Sequence, residues 1–592
     1  MNARKLMSQA QYDRIGTTNV LCSGKARVRG IVAAWCAVVI SIGFAGCDSS
    51  SAQHIAVAAD VAAASGAYPA TSYHEQKGGK SGGTLRVSVA TDTGSLDFHA
   101  ISDTNSQWLG RLIYDNLVYL DNNGRITPWL AKSWTISPDG KIYTFHLRDD
   151  VTFSDGTKFN AQAVLVNLEH MRDPATKSPL AAAYIAPYVS GRVINENTFE
   201  ATLNEPYTPF LNVLAQSWLS MESPKAINDN PKRLAEAPVG SGPFIVESYT
   251  RQQGIRLVRR KDYHWAPDFL HHEGAAYLER INIDFVPEAM VRYTSLAADQ
   301  YDLTIDAPAQ DAAAIRANPD LVFEARIRQG NPFRALTFNT SRPPFDDVRV
   351  RKAVALGINR DGIARIIGFG EYAPKADFLS VNTRYYDPTW RNALNFDPAS
   401  ANRLLDEAGW TGRDAAGYRT RNGQRLSAEV LLYQSTSTST AGPVAVQSDA
   451  KKIGVELKLV ALPLAQLVQR RNANDYQAVS GGVWHTNTPD GLYILYDSHE
   501  ITSSRRVGQN LSRLTDPTLD DTLARARRSS DPAELQNLYS SAQQQLTELV
   551  PAVPLYDNYS LIAYRRDVKD VIFDTSHNTP FFTSVWLDKG AS

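Results

Sequence analysis

The chain has 592 residues, 43% of them hydrophobic and 21% charged, and its 61 basic residues nearly balance 62 acidic ones for a formal net charge of −1. That balance offers no basic footprint for nucleic acid, and a chain of this length divides into two or three units. None of the three cysteines follows Cys47, so the body beyond it forms neither a disulfide nor a thiolate metal centre.

In chain order, Lys25, Arg27 and Arg29 come first, followed by an apolar run without charge at 31–44. The run is shorter than the roughly 20 residues a membrane-crossing helix needs. A basic patch, a short apolar core and small residues are the layout of a secretory signal, here 1–46. Ala45-Gly46-Cys47 resembles the lipobox of bacterial lipoproteins, with Phe44 where Leu is usual. The resemblance implies a lipid on Cys47; the plainer alternative is a cleaved signal with an incidental cysteine. Segment 47–82 is rich in Ala, Ser and Gly without a sustained apolar period and reads as a flexible tether, or as one carrying a short helix within 55–64. No later stretch is long and apolar enough to span a bilayer.

Order begins at Gly83. Leu85, Val87 and Val89 alternate with polar residues as a half-buried strand, and Tyr143, Phe145 and Leu147 do the same. Asn160 is placed as the N-cap of a helix over 161–171. Strands follow at 198–203 and around 281–285. Beyond 330, strands at 335–338, 430–433, 455–460 and 476–480 are separated by helices at 348–358, 399–408, 444–453 and 464–471, with Gly409 ending the second of these helices. The alternation predicts an α/β protein with a parallel sheet.

Catalytic signatures do not appear. There is no Gly-x-Ser-x-Gly elbow, no His-Glu-x-x-His and no P-loop. The eleven histidines show no ligand spacing, and His271-His272-Glu273 reads as loop. Asp520-Asp521 reads as favourable charge at a helix start. The expectation is a protein that is not an enzyme, with no cofactor and no metal.

Segment 130–164 (LAKSWTISPDGKIYTFHLRDDVTFSDGTKFNAQAV) closely resembles the signature of the extracellular solute-binding proteins of family 5, the dipeptide-, oligopeptide- and nickel-type binding components of ABC importers. Gly240-Ser241-Gly242-Pro243-Phe244, RKDYHW at 260–265, the block 292–304, FNTSRPPFDDVRVRKAVALGIN at 338–359, ASANRLLDEAGW at 399–410 and AVPLY at 552–556 extend the likeness from Gly83 to the C-terminus. These blocks have structural roles of their own as turns, strand cores and helix starts, and no ligand contact is placed in them. The resemblance implies an α/β, two-lobed periplasmic-binding-protein fold with an extra α/β domain inserted in the first lobe. Lobe I is then 83–112, 240–330 and 551–592, the inserted domain 113–239, and lobe II 331–550. The lobes exchange chain near Gln329-Gly330-Asn331-Pro332 and near 551–554, where glycine and proline suit a hinge.

The same resemblance places the solute in a cleft. Lobe I contributes Thr91, Asp92 and Ser95 from the loop 90–98. Lobe II contributes Ser435, Thr436, Ser437 and Thr438 after one strand, and Trp484, His485, Thr486, Asn487 and Asp490 after another. Peptide-binding members grip an ammonium group with an Asp where His485 falls, and dipeptide binders use an Arg that 434–442 lacks. A desolvated ammonium without a carboxylate partner is costly. The expected guest is therefore an oligopeptide held by its backbone, or a hydroxylated or anionic small solute. The alternatives are a solvated turn for the Ser/Thr run, a structural hydrogen bond for His485 and packing for Trp484. The implied partners are ABC permease subunits, the solute, and a membrane reached by the lipid anchor, with the protein acting as a periplasmic monomer. Asp48 after the anchor favours the inner membrane over the outer. The alternative function is a surface lipoprotein of the same fold in peptide sensing or chaperoning without a permease.

Overall fold

The alternation at Leu85, Val87 and Val89 is built as strand Thr84–Val89, the middle strand of a seven-stranded sheet. The computed structural model describes residues 78–102, 107–121, 124–178, 180–270, 272, 274–332, 334–373, 377–434, 440–481, 486–503, 508–574 and 577–589. The apolar run 31–44, Cys47 and nearly all of the tether lie outside the described residues. In sheet order the strands are Leu321–Ile327, Tyr559–Arg565, Leu303–Ile305, Thr84–Val89, Arg280–Phe285, Gly254–Arg259 and Phe244–Thr250. A five-stranded sheet carries Glu456–Leu462, Ser427–Tyr433, Ala478–Ser480, Arg334–Phe338 and Ala552–Tyr556.

Both sheets are mixed, which corrects the expectation of a parallel sheet. Thr84–Val89 runs parallel to Arg280–Phe285 and Leu303–Ile305, and Ser427–Tyr433 runs parallel to Glu456–Leu462 and Ala478–Ser480. The chain then passes from the first sheet to the second between Ile327 and Arg334, and returns between Tyr556 and Tyr559. Outgoing and returning strands lie side by side in both sheets, so each sheet gains an antiparallel pair. The return crossing falls at Asp557-Asn558, later than the 551–554 expected from the prolines. Ala552–Tyr556 belongs to the second sheet as its end strand, where a residue without an N–H, here Pro554, breaks no ladder on the open side.

Between the first two blocks of the seven-stranded sheet, a four-stranded antiparallel sheet is inserted in the order Ala131–Ile136, Ile142–Leu147, Thr198–Leu203, Tyr188–Asn195. Helix Ala161–Arg172 packs on it, and the Asn160 side chain accepts a hydrogen bond from the Ala163 N–H at 3.0 Å, as a cap should. Tyr143, Phe145, Leu168 and Phe199 share one buried cluster with Leu85, Val87 and Ile281, so inserted domain and first sheet are joined by a continuous core. The Gly240–Phe244 turn brings the chain back. A Cβ at Gly240 would sit 2.0 Å from the Ile113 carbonyl oxygen, and the Gly242 N–H donates to that same oxygen at 2.9 Å. Only glycine allows this approach. The second sheet has separate cores, one around Phe338, Val354, Leu405 and Val430, the other around Leu492, Leu523, Leu538 and Leu546.

Candidate functional site

On the first lobe, the loop after Thr84–Val89 is held by its own polar residues. The Asp92 carboxylate accepts hydrogen bonds from the Tyr249 hydroxyl (2.6 Å) and from the N–H groups of Gln252 (2.8 Å) and Gly94 (3.0 Å). Burial first, and then the negative Asp92, raise the Tyr249 phenol well above its ordinary range. Ser95 Oγ accepts from the Asp97 N–H at 3.1 Å. Thr91 is exposed. Asp92 and Ser95 therefore shape the loop, and Thr91 is its outward group.

On the second lobe, Ser435, Thr436, Ser437, Thr438, Trp484 and His485 lie outside the described residues. Thr486, Asn487 and Asp490 are buried. This loop packs directly on the outgoing crossing. Gly330 has a φ of +102°, and a Cβ there would stand 1.6 Å from the Thr486 carbonyl oxygen. The backbone of the crossing and that of the expected cleft loop are thus in contact.

Asp490 has a further partner that sequence spacing does not reveal. Arg527 grips its carboxylate with two nitrogens, Nε at 2.7 Å and the other at 2.9 Å, and the Tyr207 hydroxyl donates to it at 3.2 Å. The Arg527 guanidinium stacks over Tyr493 at 3.7 Å and lies 4.9 Å from the Tyr207 ring. The Thr208 N–H and hydroxyl both donate to the Arg527 carbonyl at 3.0 Å. Burial would lower the Arg527 pKa, yet the Asp490 charge and hydrogen bonds hold it well above its usual value. Burial and the nearby Asp490 push the Tyr207 phenol well up. Tyr207 and Thr208 belong to the inserted domain, whereas Asp490 and Arg527 belong to the second lobe. The cluster is a polar contact between the two.

Beside it opens a cavity of about 620 Å³, within the range of small-molecule sites. Arg125 and Tyr143 line it from the inserted domain, and Arg384, Tyr385, Asp490 and Arg528 line it from the second lobe. Of the expected site residues that the structure describes, Asp490 alone reaches this cavity. The three arginines were not foreseen. Nothing local distinguishes them from solvated surface charges; only their convergence does. Asp490 is paired with Arg527 and Arg125 with Asp121, so the wall's other charged groups are Arg384, Arg528 and Asp139.

Residues 125–502 match the family described as bacterial extracellular solute-binding proteins, family 5 Middle. The glutathione-binding protein GsiB of Escherichia coli strain K12 is 27% identical over 495 residues, covering 81% of this chain and 90% of that protein. Among solved structures, the ABC transporter-associated periplasmic binding protein DppA of Helicobacter pylori, in complex with the peptide STSA, is 26% identical with a TM-score of 0.72, covering 86% of this chain and 99% of that one. NikA of Brucella suis shares the fold, at 23% identity and a TM-score of 0.74, with 86% of this chain and all of that one covered. The first of these is described as glutathione-binding, and the second as a periplasmic binding protein associated with an ABC transporter. A chain matched over most of its length by that family, built as two sheets joined by two strand crossings, belongs to the family 5 bacterial extracellular solute-binding proteins of ABC importers.

Proposed function

We propose that this protein captures a short peptide or peptide-like solute carrying a carboxylate between its two lobes and hands it to an ABC permease while tethered to the membrane through a lipid on Cys47. The observation that carries the reading is the cavity between inserted domain and second lobe, where Arg384 and Arg528 converge with Arg125, itself held by Asp121. Guanidinium groups match carboxylates with two parallel hydrogen bonds. The likeness to a glutathione-binding protein supports the same class, since glutathione is a small, carboxylate-rich peptide. Closure on the guest needs only that the guest bind the closed form better. The lipobox-like Ala45-Gly46-Cys47 and the tether behind it support anchoring, which would raise the effective concentration near the permease.

A thermal-shift panel of dipeptides, oligopeptides, glutathione, opines, sugars and nickel chelates tests this. A ligand at 100 times its Kd stabilises by about 2.7 kcal/mol, a shift of several degrees in Tm. Stabilisation by the anionic peptide-like members is the expected result. A panel in which nothing stabilises, or only neutral sugars do, overturns the proposed solute class.

A further inference from the structure

Away from the interlobe cavity, four side chains of metal-ligand type converge where the first lobe meets the inserted domain. Asp97 caps the short turn Phe98–Ala100, which carries His99; His170 stands in the last turn of helix Ala161–Arg172; Glu222 lies just ahead of helix Pro224–Asp229. All four are buried, and one ligand atom from each lies within 4.8 Å of the others. His99 Nδ1 is 3.0 Å from His170 Nδ1 and 3.8 Å from Glu222 Oε2. His99 Nε2 is 2.8 Å from the Ser220 carbonyl oxygen and donates its proton there, which leaves a lone pair on Nδ1, aimed into the cluster. A ring N–H given to a backbone carbonyl is the usual support of a metal-bound histidine.

Glu222 provides the independent observation. Its side chain has no exposed surface, and neither carboxylate oxygen accepts a well-formed hydrogen bond; the Phe98 N–H and the Tyr114 hydroxyl reach it only weakly, that hydroxyl giving its short bond to the Leu96 carbonyl at 2.9 Å. A carboxylate buried with so little donated to it is costly as an anion, so the group either keeps its proton or gains a cation. We propose that Asp97, His99, His170 and Glu222 form a binding site for a divalent transition-metal cation. Two imidazoles and two carboxylates form a neutral assembly with such an ion, and mixed nitrogen and oxygen donors suit zinc. Ligand atoms of a tetrahedral zinc at about 2.1 Å stand roughly 3.4 Å apart. The two nitrogens are already that close, His99 Nδ1 and Glu222 Oε2 stand at 3.8 Å, and the most distant pair, within 4.8 Å, would have to close by up to about 1.4 Å. His170 then presents an unprotonated Nδ1 with its proton on Nε2. The ion would fasten the base of the 90–98 loop to the inserted domain. Histidine spacing conceals this site, because its four ligands come from three separate segments, 97–99, helix Ala161–Arg172 and the stretch ahead of Pro224–Asp229.

The test uses the full chain, stripped with chelator and titrated with ZnCl2 by calorimetry, beside Glu222→Gln and His170→Gln. Expected are one equivalent of zinc bound, a rise in Tm with metal, and binding at least 100-fold weaker in either variant. Cobalt(II) should give the visible bands of a four-coordinate site in the wild type and lose them in the variants. Circular dichroism of the metal-free proteins checks that the variants fold; should one of them fail to fold, the other carries the comparison. Failure of the wild type to bind zinc saturably, or binding undiminished in a folded variant, overturns the site.

Discussion

Asp302 shows how one residue settles the end of the chain. Its side chain is fully buried and accepts hydrogen bonds from Arg86 N–H (2.8 Å), Arg86 Nε (2.9 Å) and Lys589 Nζ (2.6 Å). Burial alone would raise its pKa, but the donors on Arg86 and Lys589 outweigh it and hold the carboxyl below the ordinary range. A depressed folded-state pKa contributes stability above the unfolded value of about 3.9 and loses it as pH falls through the folded value. Asp302→Asn should therefore cost about 2 kcal/mol in urea unfolding at pH 7, since Arg86 and Lys589 keep Asp299 as a neighbouring charge but lose the buried carboxylate between them. The deficit should shrink by pH 3, and an equal loss at both pH values would contradict the assignment. The block 292–304 is legible as a family motif, yet the partners of Asp302 lie 216 and 287 residues away, so the ion pairs are not.

At the scale of elements, helix starts were readable because caps are local. Asn160 caps Ala161–Arg172 as expected, and Gly409, at φ +83°, follows helix Pro398–Glu407. Asp520 sits in the first turn of helix Pro517–Arg528, where a negative charge is favourable. It also accepts from the Ser498 N–H at 2.9 Å, a contact no local pattern signals. The same helix ends with Arg527, which reaches Asp490 while Tyr207 reaches that carboxylate from the inserted domain. Tyr207→Phe removes a hydrogen bond to a charged group, about 1.5 kcal/mol. The bond joins the inserted domain to the second lobe, and under the proposed closure its loss falls on the ligand-bound form, so calorimetry with the best ligand of the panel should show roughly tenfold weaker binding. An unchanged Kd would detach this cluster from closure.

For the whole molecule, the chain passes between the two large sheets only at the two crossings, among the described residues. The outgoing crossing was expected to contain a pliant glycine. The structure instead fits Gly330 tightly against the Thr486 carbonyl, in a backbone conformation that side chains resist. Gly330→Ala therefore adds strain and a clash together, and should cost about 3 kcal/mol in chemical unfolding. A variant as stable as the parent would show that the crossing can shift to make room. The return crossing at Asp557-Asn558 was misplaced because proline suggests a hinge in sequence, while an end strand accommodates it just as well.

By itself, the sequence determined part of the strands and helices, such as Thr84–Val89 and Ala161–Arg172 with its Asn160 cap, and the family, since alternation, turn residues and motif blocks act over a few neighbouring positions. It left strands such as Leu321–Ile327 and Tyr559–Arg565 unread. Only the tertiary structure decided that the sheets are mixed, that Asp490 is paired, that three arginines share one cavity, and that two histidines meet a buried glutamate. Each of these joins residues far apart in the chain, whose interaction depends on distance in space, which local pattern does not encode.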